Sequence, residues 1–210
     1  MLSSYSLSLL LAVVAAYLLG SLSFAVIVSR VFGLSDPRTY GSKNPGATNV
    51  LRSGNKAAAI LTLLFDALKG WLPAWLAVRY GSAYGWPDLA SIAVGGAAFI
   101  GHLWPVFFRF EGGKGVATAA GVLLGMNAAL GLGCGLVWLA MAVVFRYSSL
   151  ASLMAAVSAP VLTYVLLHDV PTVIGVAAMS TLLVWRHAAN ISKLLSGTES
   201  KIGQKSKPGA

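Results

Sequence analysis

Charge is what this sequence has least of. Only 10% of its 210 residues are Asp, Glu, Lys or Arg, while 57% are hydrophobic. A water-soluble domain carries about 25% charged residues because its wetted surface must be covered. The composition therefore excludes an ordinary soluble fold. Cysteine is almost missing too. Cys134 stands alone in the apolar run 130–145, which excludes an intrachain disulfide or a thiolate metal cluster and leaves helix packing as its reading. There is no HExxH pattern and no obvious carboxylate pair, so no metal and no cofactor are expected. No GxSxG elbow marks a serine hydrolase. Acidic residues number 6 against 15 Lys and Arg, a formal net charge of +9. Those basic residues lie at the ends of apolar segments or in the tail, without a homeodomain, zinc-finger or RNA-binding signature. They read as topology signals that also attract anionic headgroups and substrates, and no nucleic acid partner is expected.

What the chain does have is a series of apolar stretches at or near the roughly 20 residues that cross a hydrocarbon core. They predict an all-α, polytopic membrane protein with about seven transmembrane helices, at 5–29, 58–78, 89–108, 116–125, 128–145, 149–167 and 172–185. The first stretch has no basic run before it and continues past any small-residue cleavage site, so it reads as a retained span. Nearly all Lys and Arg fall in 30–56, 109–115, around Arg146 and after Arg186, whereas 79–88, 126–127 and 168–170 are poor in them. The positive-inside rule then places the N-terminus outside and the C-terminus in the cytoplasm. Segment 116–125 is the exception, rising only about 15 Å as a helix. Two readings fit it: a crossing whose helix starts in the preceding loop, or a re-entrant pair over 116–145. The expected organisation is one domain, 1–210, with a flexible cytoplasmic tail at 200–210. Glycine and alanine are dense in the spans, as at Gly95, Gly96, Ala98, Gly101, Gly121 and Gly125, which suits close helix packing in lipid.

Three basic-side sections carry more polar chemistry than a connection needs. In GSKNPGATNVLRSGNK (41–56), glycines expose amides, Ser42, Asn44, Thr48 and Asn49 supply short polar groups, and Arg52 supplies a permanently charged fork. The set suits phosphate, and the plain alternative is a Gly/Asn turn with an interfacial arginine. In GHLWPVFFRFEGGKGVAT (101–118), the flexible Glu111-Gly112-Gly113-Lys114-Gly115 stretch feeds directly into an apolar helix, a ready anion site. It is not a Walker A loop, because Phe108 and Gly115 occupy that motif's first Gly and its Ser/Thr positions. The alternative for Lys114 is a topological anchor. The third section joins RYSSLAS (146–152) to WRHAANISKLLSGTESK (185–201). Ser149 and Ser152 share a helix face by spacing, as do His187 and Asn190, and His187 alone also fits an interfacial role. Inside the second span, Asp66 and Lys69 lie three apart on one face, where pairing offsets the cost of burying charge. A structural brace is favoured there over acid–base machinery.

The three sections GSKNPGATNVLR, GHLWPVFFRFEGGKGVAT and RHAANISKLLSGTESK, in this order on a small polytopic chain, resemble the bacterial acyl-phosphate:glycerol-3-phosphate acyltransferase family. Agreement runs from Leu18-Leu19-Gly20-Ser21 to Gly197-Thr198-Glu199. The resemblance implies transfer of a fatty acyl group from acyl phosphate to the 1-hydroxyl of sn-glycerol 3-phosphate, the first acylation of phospholipid synthesis. It implies an inner-membrane enzyme facing the cytoplasm, in contact with membrane lipids and functionally coupled to an acyl-phosphate-producing enzyme. Ser42 and Arg52 match phosphate-handling positions, with Asn44, Thr48 and Asn49 beside them. Lys114, after Gly112 and Gly113, matches a lysine near the reacting carbonyl. Ser152 matches a serine after the fifth span, with Ser149 the alternative alignment, and His187 and Asn190 match the third-motif pair. Lys114, Arg52 and His187 are thus the expected catalytic set. Ala188-Ala189 depart from positions often polar in relatives. The HxxxxD pattern of soluble acyltransferases is missing, since Phe107 and Ser192 stand five residues after His102 and His187. The competing expectation is a small anion or organophosphate transporter, which needs a polar path to both faces.

Overall fold

The computed structural model describes residues 4–203. Its regular elements are helices: α1 (Ser4–Gly20), α2 (Phe24–Val31), α3 (Ala47–Leu51), α4 (Lys56–Tyr80), α5 (Ala90–Leu103), α6 (Val116–Met126), α7 (Ala128–Phe145), α8 (Ser148–Leu167), α9 (Val170–Arg186) and α10 (Ala188–Leu195). Four segments are long and apolar enough to cross a membrane: Lys56–Tyr84, Ala90–Phe108, Ala128–Phe145 and Ser148–Leu167. Counting the bent pairs α1–α2 (44°) and α9–α10 (59°) as one span each raises the number to six. With 11 residues, α6 rises about 16 Å. The chain is an all-α, multi-pass membrane protein. Its outer faces are apolar in the way lipid requires: Leu132, Leu136, Val143 and Val144 of α7 are all more than 60% exposed.

The expected elements differ from those observed where a helix stops early. The expected span 5–29 breaks at residues 21–23. Lys69 Nζ, on α4, donates to the Leu22 carbonyl freed by that break (2.7 Å), while Tyr17 Oη holds the Trp104 carbonyl at 2.9 Å. The expected span 89–108 ends its α-helix at Leu103, with one 3-10 turn at Val106–Phe108. Pro105 explains the stop, since it lacks an N–H and pushes Trp104 out of the helical region. Residues 200–203 of the expected flexible tail are tied down. The Ile202 N–H donates to the Arg146 carbonyl at 2.7 Å, and the Arg146 guanidinium returns a bond to the Ile202 carbonyl at 3.1 Å. Residues 204–210 of that tail lie outside the described residues.

Glycine sets how closely the helices approach. A Cβ on Gly70 would overlap the Thr118 carbonyl, on Gly121 the Ala67 carbonyl, and on Gly125 the Trp71 carbonyl, so α4 and α6 meet backbone to backbone. Gly20 and Gly101 do the same for α1 and α5. Without a hydrophobic drive between helices in lipid, this close packing supplies the association. Phe99, Leu103, Val122 and Leu130 fill the centre, and Cys134 is buried against the same cluster. Where α4 and α6 meet α5 there is also a cluster of buried polar groups. Lys69 Nζ lies 2.7 Å from Asp66 Oδ1 with both side chains almost fully enclosed, and His102 Nδ1 lies 3.6 Å from the same oxygen. Oδ1 makes no directed hydrogen bond and is held by charge. Thr118 Oγ1 donates to the Asp66 carbonyl at 2.9 Å and sits 3.2 Å from His102 Nδ1.

Gly121→Ala should lower the thermal midpoint of the purified protein in detergent by several degrees, because overpacking costs about 1–3 kcal/mol. Gly135→Ala, where an added Cβ meets nothing within 4 Å, should leave it unchanged or raise it slightly. Equal shifts in the two variants would contradict the packing account.

Candidate active site

The first polar section is organised by a single buried amide. Asn49 Nδ2 donates to the carbonyls of Pro37 (2.6 Å) and Tyr40 (3.1 Å), while Oδ1 accepts from the Ser42 N–H (3.0 Å) and from Arg52 (3.3 Å). Its donors and its acceptor are all engaged, so Asn49 holds the loop and does not face a ligand. The amide expected beside the substrate is thus engaged with its own loop. Gly41 is needed here twice over, by its φ of 58° and because a Cβ would overlap Asn49 Oδ1. Through Asn49 the loop places Ser42 and Arg52. Asn44 is half-buried and Thr48 exposed, with Thr48 Oγ1 3.3 Å from Ser148 Oγ. The Arg38 fork grips Asp36 at 2.7 Å, which holds that carboxyl below the usual range, and reaches Glu111 at 3.6 Å, joining the first polar loop to the second.

In the second loop, Gly112 and Gly113 are buried against α5. The Gly113 N–H donates to the His102 carbonyl at 3.2 Å. A Cβ on Gly112 would overlap the His102 and Leu103 carbonyls, and one on Gly113 the His102 ring. Gly115, with φ 82°, turns the chain into α6 as its N-cap without a side-chain cap. The amides of the first turn of α6 thus have no intrahelical acceptor, and the helix dipole adds positive potential.

The α9–α10 corner closes the site from the other side. Arg186 Nε donates to the Gly113 carbonyl (3.1 Å) and its NH2 to the Gly112 carbonyl (2.7 Å). Lys114 Nζ donates to Asn190 Oδ1, and Asn190 Nδ2 donates to Glu199 Oε1 at 2.8 Å. Glu199 also accepts from Ser149 Oγ at 2.6 Å. Arg52 donates to Ser200 Oγ at 2.8 Å. His187 is buried, with Nδ1 2.8 Å from the Leu183 carbonyl. Since a carbonyl only accepts, Nδ1 carries a hydrogen and, in the neutral ring, Nε2 is left as an acceptor. Burial pushes the Lys114 ammonium down to about 8; Glu199 opposes the shift, while Arg52, Lys193 and Arg186 reinforce it. Lys114 therefore stands in a strongly cationic corner relieved by one carboxylate.

Of the sequence candidates, Ser42, Arg52, Lys114, Ser149 and Asn190 are drawn together by these bonds at one end of the bundle, and His187, bonded to Leu183, stands within electrostatic reach of Lys114 and Glu199. Ser152 is not among them: its Oγ donates to the Ser148 carbonyl (2.8 Å) and accepts from Trp138 Nε1 (3.1 Å), which commits it to α7. Of the two serines, Ser149 is the one bonded to Glu199. Asp66 and Lys69 lie behind the Gly112–Gly113 loop, across His102. Arg186 and Glu199 fall inside the third polar section, but sequence reasoning gave neither a role at the site; Glu199 is the one acid among the polar residues after α10.

A sequence model of the family described as Glycerol-3-phosphate acyltransferase matches residues 10–197. A protein named Glycerol-3-phosphate acyltransferase from Burkholderia pseudomallei (strain 1710b) is 63% identical over 206 residues, covering 97% of this chain and 100% of its own length. Its counterpart from Burkholderia mallei (strain ATCC 23344) is 63% identical over 205 residues with the same coverage. Two solved crystal structures of PlsY (YgiH), described as an integral membrane glycerol 3-phosphate acyltransferase, share the fold and cover 93% of this chain and 96% of theirs. The glycerol 3-phosphate form has TM-score 0.87 and 40% identity, and the lysophosphatidic acid form 0.85 and 39%. With the family's sequence matched from residue 10 to residue 197 and its fold reproduced almost end to end, the chain belongs to the glycerol-3-phosphate acyltransferase family.

Proposed function

We propose that this protein is an inner-membrane enzyme that transfers a fatty acyl group from acyl phosphate to the 1-hydroxyl of sn-glycerol 3-phosphate, acting as one unit. The products are 1-acyl-sn-glycerol 3-phosphate and inorganic phosphate. The observation that carries this reading is the meeting of Lys114, Arg52 and the α6 N-terminus with the His187–Asn190 corner, cationic and polar groups beside lipid-exposed helices. Both substrates bring a phosphate, and one brings an acyl chain.

Each group then has a task. Ser42 and Arg52, ordered by Asn49, bind the phosphate of glycerol 3-phosphate, and the Arg52 fork suits two of its oxygens. The amides around Gly113–Lys114 and the first turn of α6 face the acyl phosphate. The hydroxyl oxygen attacks the acyl carbon, forming the ester bond. The acyl carbon–oxygen bond to phosphate breaks, and the hydroxyl proton ends on the departing phosphate. A mixed anhydride is already activated, so placement and charge stabilisation carry the rate. His187, with Nδ1 committed to Leu183, has only Nε2 to orient the hydroxyl. Lys114 stabilises charge on the carbonyl oxygen and the leaving phosphate. Glu199 fixes Asn190 and Ser149, and Asp66 with Lys69 braces the loop from behind. The activity places the enzyme functionally downstream of an acyl-phosphate-producing enzyme.

For orientation, we infer an outside N-terminus, a cytoplasmic C-terminus and about seven crossings, with α6 as a shortened one whose N-terminus sits in a cytoplasmic cleft. Segregation of the basic residues supports this. Single cysteines at positions 43 and 83, introduced into otherwise labelled-blank protein in intact cells, test it. Position 43 should react only after permeabilisation and position 83 before it; the reverse would invert the topology.

Purified protein should release phosphate only when both acyl phosphate and glycerol 3-phosphate are present. Organophosphate transport without acyl transfer would instead make this a transporter. In rapid-quench single turnovers at saturating substrates, K114A should be slowed about a hundredfold, the loss of roughly 3 kcal/mol expected of one strong transition-state contact. Full recovery of the rate at saturation would leave Lys114 a binding residue only.

A further inference from the structure

We propose that Arg186 is a positioning residue that fixes the Gly112–Gly113 peptides and thereby aims Lys114. The idea rests on the proposed acyl transfer for its catalytic consequence, and on geometry alone for its mechanical one. Arg186 is half-buried at the end of α9, and among the described residues no carboxylate lies within ion-pair distance of it. Its guanidinium is committed to two consecutive main-chain carbonyls, Gly112 at 2.7 Å and Gly113 at 3.1 Å. A headgroup anchor would face outward and leave those carbonyls to water.

The consequence follows from peptide planarity. In a trans peptide the carbonyl and the N–H point in opposite directions. With the Gly112 carbonyl held by Arg186, the N–H of the same peptide points away, and it meets the His102 carbonyl at 3.2 Å. With the Gly113 carbonyl held by the same fork, the Lys114 N–H is fixed as well. Main-chain glycines have no intrinsic preference for this conformation, so the order comes from the two partners. Four residues after Arg186, Asn190 accepts from Lys114 Nζ. The backbone and the ammonium of one residue are therefore referenced to one helix corner.

A single lysine ammonium at position 186 lacks the rigid two-pronged geometry, so R186K should be impaired almost as much as R186A. Two measurements on the full chain in nanodiscs decide the matter. Amide hydrogen exchange over 109–115 should accelerate about tenfold or more in R186A while the exchange of α4, α5 and α7 is unchanged. Single-turnover acyl transfer at saturating substrates should fall about ten- to a hundredfold, with glycerol 3-phosphate affinity within about threefold of wild type, and added guanidinium ions should restore part of the rate. Unchanged exchange together with a loss confined to affinity would make Arg186 a direct substrate ligand and overturn the proposal. Unchanged exchange with a normal rate would overturn it too. If R186A does not insert, R186Q takes the same tests. Should the wild-type protein show no acyl transfer at all, the exchange measurement still judges the clamp, separately from the proposed reaction.

Discussion

At three places where this chain leaves the helix, a polar side chain takes main-chain carbonyls left outside helical bonding. Lys69 reaches the Leu22 carbonyl at the α1–α2 break, Arg186 the Gly112 and Gly113 carbonyls before α6, and Asn49 the Pro37 and Tyr40 carbonyls before α3. Irregular backbone at membrane depth is tolerated only when its polar groups find partners within the protein or in a water-lined cavity. Lys69 and Arg186 come from elements distant in sequence, and Asn49 from the helix that follows its own loop. Non-helical backbone here is consequently rigid backbone, and the proposed site is assembled from it.

That rigidity has an electrostatic use. Burial destabilises the Lys114 ammonium first, Glu199 opposes that, and Arg52, Lys193 and Arg186 add to it. In the proposed function, a bound dianion would stabilise the ammonium that burial disfavours. Glu199 does not pair with Lys114 directly. It holds Asn190 and Ser149, so the lysine keeps its charge available while its carrier stays in place. The glycines serve the same end, since a side chain on Gly112 or Gly113 would push the loop off α5 and out of reach of Arg186.

The apolar runs made the helices legible because the lipid-facing and core-facing residues are both apolar, and the ends of α4, α7, α8 and α9 fall within a few residues of where hydrophobicity alone puts them. The break at 21–23 was not legible, since nothing in Ser21-Leu22-Ser23 requires it without Lys69. In the polar sections, Lys114, Arg52, His187 and Asn190 stood out because charge and amide groups next to glycine in a membrane chain are costly unless used. Their neighbours were harder. Asn49 and Ser152 have the same chemistry as their neighbours, and only the tertiary partners, the Pro37 and Tyr40 carbonyls in one case and Trp138 in the other, show what they bond to within the protein. Arg186 and Glu199 were hidden for the converse reason: a basic residue at a helix end and an acid near a tail are ordinary until their contacts are seen.

The central claim is that Lys114 is a charge held ready for phosphate in a desolvated, cationic corner. Its titration tests that most directly, through the pH dependence of its acylation by an amine-reactive reagent, followed by mass spectrometry with and without glycerol 3-phosphate. Burial and neighbouring cations destabilise the ammonium, so in the free protein Lys114 should titrate near 8, well below the ordinary 10.5. A bound dianion stabilises the ammonium, so ligand should move that midpoint upward and slow the labelling at pH 8 to 9. A midpoint near 10.5 that ligand does not move would contradict the account.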